Sequence, residues 1–397
     1  MKRWKSLAAS LAVLGLLAGL AVAAPLANSS AKSGLKVGII YCRTGALAEY
    51  GAEYIEGLHY GLQYATNGTN AVNGKSIQLN VQDETADPAT AVSEAKSLIG
   101  QGYKIIAGTC SSAVAIQIAP LAAQNHVLYI SGAAAADVIT GLNRYTFRAG
   151  RQTYQDVLAA GSFLGKSVGK KVVVFAQDYI FGQGNYAAVK AVLGGRGHSV
   201  SAILVPLTAT DFTPFARQAA AAKPDLLFVA WAGSTAAAMF QALQQQGVFS
   251  ATTVTTGLAQ RDSWQAFGPA ATSIKFLAHY VWNAPHNKVN DWLVTQMKKR
   301  GQLPDLFTPD GFVTGQMIVH ALQKAGGDQN VEAMISGLEG WQFLAPKGTQ
   351  RIRPQDHAMT QPMFQVQLVK QANGKFLPKV LKTISPGNVQ PPITPFK

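Results

Sequence analysis

The sequence predicts an α/β protein built from two doubly wound, parallel-sheet lobes. Three observations carry that expectation. Short apolar runs alternate with longer runs of helical periodicity, and this strand–helix series occurs twice, over roughly residues 35–150 and 170–280. The chain has 397 residues, more than the ~250–300 at which single cores stop growing. Hydrophobic residues make up 48% and charged residues 14%, against ~25% charged in an average globular protein, which excludes a disordered chain.

The elements follow in order. Residues 35–41 read as a buried strand, and 52–65 as a helix with apolar spacing at Ile55, Leu58, Leu62 and Ala65. Asn73-Gly74 marks a turn before an alternating strand over 76–82. Asp87-Pro88 opens a second helix, since Asp caps well and Pro is tolerated in the first turn. Strand 104–107, helix 112–124 and strand 127–130 complete the first series. The second holds strand 172–175, helix 186–193, strand 200–205, helix 212–222, strand 226–229 and helix 235–245. Helices over 290–300 and 312–325 come next, and from Phe343 the pattern turns to short strands and a Pro-rich tail. Strands spaced by helices in this way form right-handed βαβ units, and ligands of such sheets sit outside the carboxyl ends of the strands. The loops to read are therefore 42–50, 108–112, 131–137, 177–184, 230–234 and 256–261.

The N-terminus reads as a secretory signal. Lys2, Arg3 and Lys5 precede an uncharged apolar run over residues 7–22, and Ala21-Val22-Ala23 supplies small residues for cleavage near Ala23. The run is shorter than the ~20 residues that span a bilayer. An exported protein follows. The formal charge is +14, from 34 Lys+Arg against 20 Asp+Glu. The cations are scattered singly, Lys298-Lys299-Arg300 being the densest run, so a nucleic-acid partner is not expected. Cys42 and Cys110 are the two cysteines. They are either joined, which an oxidising compartment permits, or two separate buried thiols. No zinc motif is formed, the seven histidines are dispersed, and neither a metal nor a cofactor is expected. No GxSxG or Walker loop is present, and Phe181-Gly182-Gln183-Gly184 lacks the third glycine of a dinucleotide loop, so an enzyme is not expected.

Several stretches in their order resemble the branched-chain amino acid type of periplasmic solute-binding protein of ABC transporters. They are Thr44-Gly45-Ala46-Leu47-Ala48-Glu49-Tyr50-Gly51, Val72-Asn73-Gly74-Lys75, Asp83-Glu84-Thr85-Ala86-Asp87-Pro88, Gly108-Thr109-Cys110-Ser111-Ser112, Tyr145-Thr146-Phe147-Arg148, Phe181-Gly182-Gln183-Gly184 and Lys223-Pro224-Asp225. The resemblance implies the type I periplasmic binding fold, with two lobes joined by a multi-strand hinge. The boundaries expected are residues 31–150 plus 284–345 for lobe 1, and 151–283 plus 346–397, with the tail, for lobe 2. It also implies a monomer that delivers its solute to an inner-membrane ABC permease.

What the resemblance implies for the site is specific. Ser111 matches the serine that holds the solute carboxylate, with Ser112 beside it. This agrees with the free N–H groups that a helix start offers an anion. Ala133 matches a backbone contact. Ala135 and Leu258 fall where amino-acid binders carry a threonine and a glutamate for the ammonium; Asp262 is the substitute if the match slips. An ammonium without an anionic partner in a closed cleft is costly. Tyr50, Phe181 and Trp231, with Tyr179 nearby, match or adjoin stacking positions, and Arg43 in the first loop supplies a cation. This set favours a small carboxylate with an aromatic or apolar body. Two alternatives stand beside it: a branched-chain or other amino acid carried by the same transporter type, and a ligand-sensing module for a membrane receptor.

Overall fold

The computed structural model describes residues 34–165 and 167–396; the expected signal segment lies outside them. Two sheets carry the architecture. The first has six strands in the order Ala71–Val72, Lys75–Asp83, Leu35–Tyr41, Ile105–Gly108, Leu128–Ser131 and Thr146–Arg148. All its pairings are parallel except that of the short first strand. The second has seven strands in the order Phe376–Ile384, Met363–Lys370, Lys275–Ala278, Thr253–Gly257, Leu226–Ala230, Lys171–Gln177 and Ser199–Val205. The hairpin of the last two chain segments joins antiparallel to a parallel series.

Side-chain alternation explains why both sheets are covered twice. Ile39, Ala107 and Ile130 point into one core, while Ile40, Ile106 and Tyr129 point into another on the opposite face. Val173, Phe175 and Val229 likewise oppose Val172, Val174 and Phe228 across the second sheet. Strands buried on both faces read as continuous apolar runs, which is how they appear in the sequence.

The C-terminal third completes both cores. Helix Thr308–Lys324 packs Val313, Met317 and Leu322 against Val37 and Ile39. It lies against helix Ala48–Ala65 in backbone contact. A Cβ on Gly57 or Gly61 would strike the carbonyl of Thr308 or Phe312, and one on Gly311 the carbonyl of Tyr54. Ile352 and Met359, which the sequence boundaries put with the second lobe, pack in the first sheet's core. The small sheet that carries them follows helix Thr308–Lys324 and stays with it. The tail touches both sides. Val389 packs with the second sheet, whereas the carbonyls of Pro391 and Pro392 accept hydrogen bonds from Arg353, and Thr394 N–H donates to Asp356.

Three local differences from the sequence reading position the site. The first helix begins at Ala48 rather than 52, which puts Tyr50 in its first turn. The helix expected at 186–193 begins at Ile180, which does the same for Phe181. An edge strand, Thr146–Arg148, and a helix, Thr153–Ala160, were not anticipated. The segment between them carries Arg151.

Candidate ligand-binding site

A cavity of about 380 Å³ opens at the carboxyl ends of the parallel strands of both sheets. From the first sheet, Gly45 to Tyr50, Cys110, Ser112, Ala133, Ala135 and Arg151 reach it. Tyr179, Phe181, Trp231, Leu258, Gln260 and His279 line it from the second, and Leu306 and Phe307 from the connecting segment.

The first wall is fixed by covalent and backbone bonds. Cys42 and Cys110 are joined, with their Cα atoms 5.9 Å apart. This ties the loop that follows strand Leu35–Tyr41 to the one that follows strand Ile105–Gly108. Glu84 lies buried behind them. Its Oε1 accepts the N–H groups of Cys110 at 3.1 Å and Ser111 at 3.4 Å. Burial pushes its carboxyl up to about 8, against the pull of those two N–H groups. Cys42, Glu84 and Cys110 could form a metal-ligand cluster by distance, but cysteines in a disulfide offer no thiolate.

The sequence-derived residues divide accordingly. Tyr50, Ser112, Ala133, Ala135, Phe181, Trp231 and Leu258 all line the cavity. Ser111 and Arg43 do not. Ser111 is buried as the residue before helix Ser112–Gln124, and its N–H is turned to Glu84. Arg43 is exposed, and its N–H donates to Asp83. The Ser112 hydroxyl accepts the N–H of Ala136 at 3.2 Å. The N–H of Ala133 is used by the Thr109 carbonyl at 3.1 Å. Asp262 is exposed and stands outside the lining.

Arg151 is the cation that sequence reasoning missed. It follows the unanticipated edge strand Thr146–Arg148, so its loop was absent from the set to be read. Its side chain is 12% exposed, and its Nε donates to Asp156 Oδ2 at 3.2 Å. Nη1 donates to the Ala133 carbonyl at 3.5 Å, and the guanidinium stands 6.0 Å from the centre of the Phe307 ring. A guanidinium carries several N–H donors in a planar fork, so these contacts leave donors for an anion in the cavity. Burial raises the Asp156 carboxyl above its usual range, opposed by Arg151.

Aromatic rings form the rest. Tyr50 stacks on Phe307 with centroids 4.3 Å apart, and its hydroxyl accepts the N–H of Gly233 at 3.2 Å. That bond joins a first-wall residue to a second-wall loop. Gly233 has φ +85°, and a Cβ there would approach the Ala46 carbonyl to 2.8 Å, so the position needs glycine on both counts. Trp231 is held by its Nε1–H to Thr235 at 3.0 Å and by the edge of Phe212, 5.3 Å away. Burial pushes His279 down to about 4, which leaves a neutral imidazole in the wall. Behind it, burial raises Asp310 but the Lys347 ammonium, at 2.6 Å, outweighs that and holds the carboxylate well below its usual range.

A small cavity with aromatic walls and one mostly buried cation, at the carboxyl ends of the strands of two sheets, has the form of a small-molecule receptor site. The chain belongs to the periplasmic binding protein family, whose model matches residues 34–375. It is similar to the Leu/Ile/Val-binding protein BraC3 of Rhizobium johnstonii, at 24% identity over 82% of this chain and 87% of that one. Among solved structures it is similar to an ABC-type branched-chain amino acid transporter protein of Rhodopseudomonas palustris CGA009. That likeness has a TM-score of 0.76 and 30% identity, and covers 91% of this chain and all of the other. A solute-binding protein of an ABC transporter from Rhodopseudomonas palustris BisB5, solved with 3,4-dihydroxybenzoic acid, matches with a TM-score of 0.79 and 26% identity, over 89% and 97% of the two chains. The family is one of periplasmic solute-binding proteins of ABC transporters, which bind small molecules for delivery to a permease and are not enzymes. Among the described residues, no helix is long and apolar enough to cross a membrane.

Proposed function

We propose that this protein binds a small carboxylate with an aromatic or apolar body in the cavity between its sheets and presents it, as a monomer, to an inner-membrane ABC permease. The observation that carries the reading is Arg151, a mostly buried cation that lines the cavity with Tyr50, Phe181, Trp231 and Phe307. The carboxylate pairs with the guanidinium, since charge-assisted bonds to an arginine fork are strong and directional. The body stacks on the rings. Ser111, the anchor implied by resemblance, gives way to Arg151 because Glu84 already occupies its N–H. Leu258 contributes apolar surface rather than a partner for an ammonium. The likeness to a protein solved with a dihydroxybenzoic acid supports the same class. Binding energy from both walls favours the closed arrangement, in which Tyr50 and Gly233 are joined.

A branched-chain amino acid is the second reading, favoured by one observation. Asp156 lines the cavity beside Arg151, and the two together complement a zwitterion. Thermal melting of protein unfolded and refolded to strip carried ligand separates the two. A solute at ~100 times its dissociation constant stabilises by about 2.7 kcal/mol. Aromatic and short-chain acids are expected to raise the midpoint by several degrees, and leucine and valine to leave it in place. A shift with leucine or valine alone sinks the carboxylate reading.

A further inference from the structure

We propose that Gln260 selects solutes that carry a neutral hydrogen-bonding substituent, a hydroxyl or carbonyl, on the body remote from the carboxylate. The assignment rests on the carboxylate reading above and deepens it. Gln260 lines the cavity on the loop that leaves strand Thr253–Gly257 of the second sheet. Arg151 enters from the end of the first sheet's edge strand, so the two polar groups reach the solute from different walls. Gln260 is 6% exposed, and its amide Nε2 is buried with no hydrogen-bond partner. Buried amide donors are normally paired, and an orphan carries an uncompensated desolvation cost.

Two other side chains of this loop are anchored to the protein, although Arg261 Nε is also buried without a partner; Arg261 stands outside the cavity lining and Gln260 within it. Trp264 Nε1–H donates to the Ala259 carbonyl at 2.6 Å. Arg261 donates its backbone N–H to Asp305 at 2.9 Å and its Nη2 to the Pro304 carbonyl at 2.9 Å. With Nε2 unanchored, rotation about the soft terminal torsion of Gln260 turns the amide toward a solute. A carboxamide can donate and accept, which suits a hydroxyl or a carbonyl. A second carboxylate would need a cation beside Gln260, and the nearest along the chain, Arg261, does not line the cavity. An unsubstituted apolar body would leave the amide without a partner.

The test uses the full mature chain and Gln260→Met, which keeps the length of the side chain and removes the amide. Isothermal titration compares benzoate with 3- and 4-hydroxybenzoate, and hexanoate with 6-hydroxyhexanoate. The wild type is expected to favour a hydroxylated member of at least one set by about tenfold, the scale of one satisfied buried hydrogen bond. In Q260M that preference is expected to vanish, the loss falling on the hydroxylated acid. The ligand-free melting midpoint of Q260M should hold or rise, since no protein bond is lost. A preference that survives in Q260M, a wild type without one, or a drop in the ligand-free midpoint overturns the assignment. If no acid of any set binds the wild type, the carboxylate reading falls, and the assignment with it.

Discussion

The two walls of the cavity are built differently. The first is made of small residues and backbone, with Gly45, Ala46, Ser112, Ala133 and Ala135 in the lining and the Cys42–Cys110 bond behind them. The second is made of rings at the ends of its strands and the start of a helix, Tyr179, Phe181 and Trp231. A wall of alanines and glycines offers little contact area of its own but admits a solute close to the backbone. A wall of aromatics supplies most of the area and tolerates variety in what it covers. The contrast suggests that the first wall fixes where a solute sits and the second how tightly it is covered.

The largest expected effect probes the rigidity of the first wall. The disulfide closes a separation of 68 residues, and a loop of that length is worth about 4 kcal/mol. Reduction, or Cys42→Ser with Cys110→Ser, should lower stability by that order in denaturant titration and loosen solute binding. An unchanged denaturation midpoint would show that backbone bonds alone hold this wall. Next in size is the anchor. Arg151→Met should weaken a carboxylate by about 100-fold, as removal of one partner from a buried charged pair does, while Ser111→Ala stays within about twofold. The reverse order, measured by titration calorimetry, would return the anchor to the helix start.

Glu84 gives a pH signature of the first wall. Its carboxyl rises from 4.5 to about 8 in the folded protein. Between those values the folded state keeps a proton that the unfolded chain releases. Its contribution is therefore fully present below about pH 4.5 and lost as pH rises to about 8. Glu84→Gln removes this dependence. The stability of wild type relative to the variant should fall by on the order of 3 kcal/mol from pH 5 to pH 8. A difference that is flat across that range would mean the carboxyl is ionised throughout. The smallest effect concerns the bond between the walls. Tyr50→Phe keeps the stack on Phe307 and loses only the acceptor for Gly233 N–H, so affinity should fall about threefold to tenfold. A loss of 100-fold would make that single bond the main closure.

How much of this was legible depended on the length and regularity of each element. Strands such as Leu35–Tyr41 and Lys171–Gln177 are continuous apolar runs and announce themselves. Thr146–Arg148 is a three-residue edge strand that ends in a cation, too short for any periodicity. With it went the loop that carries Arg151. Phe307 was hidden for another reason: it lies far along the chain, in a connecting segment, and only tertiary packing brings it to Tyr50. Resemblance led to Tyr50, Phe181, Trp231 and Leu258 because loop order along a sheet is preserved by topology. It led to Ser111 too, but could not foresee that a buried carboxyl would take up the N–H there.

The seam between helices Ala48–Ala65 and Thr308–Lys324 has a consequence for how the molecule is made. Gly57 and Gly61 come early in the chain, Gly311 and Gly315 late, and each pair presses on the other's backbone. Val313, Met317 and Leu322 complete the core that Val37 and Ile39 begin. A chain that emerges N-terminus first therefore cannot finish its first core until most of its length is available, since non-local contacts must wait for the segments they join. Up to that moment the early strands are a partial sheet without its cover. In a member of a periplasmic family, such a late-closing core would leave the chain pliable until its last third is in place.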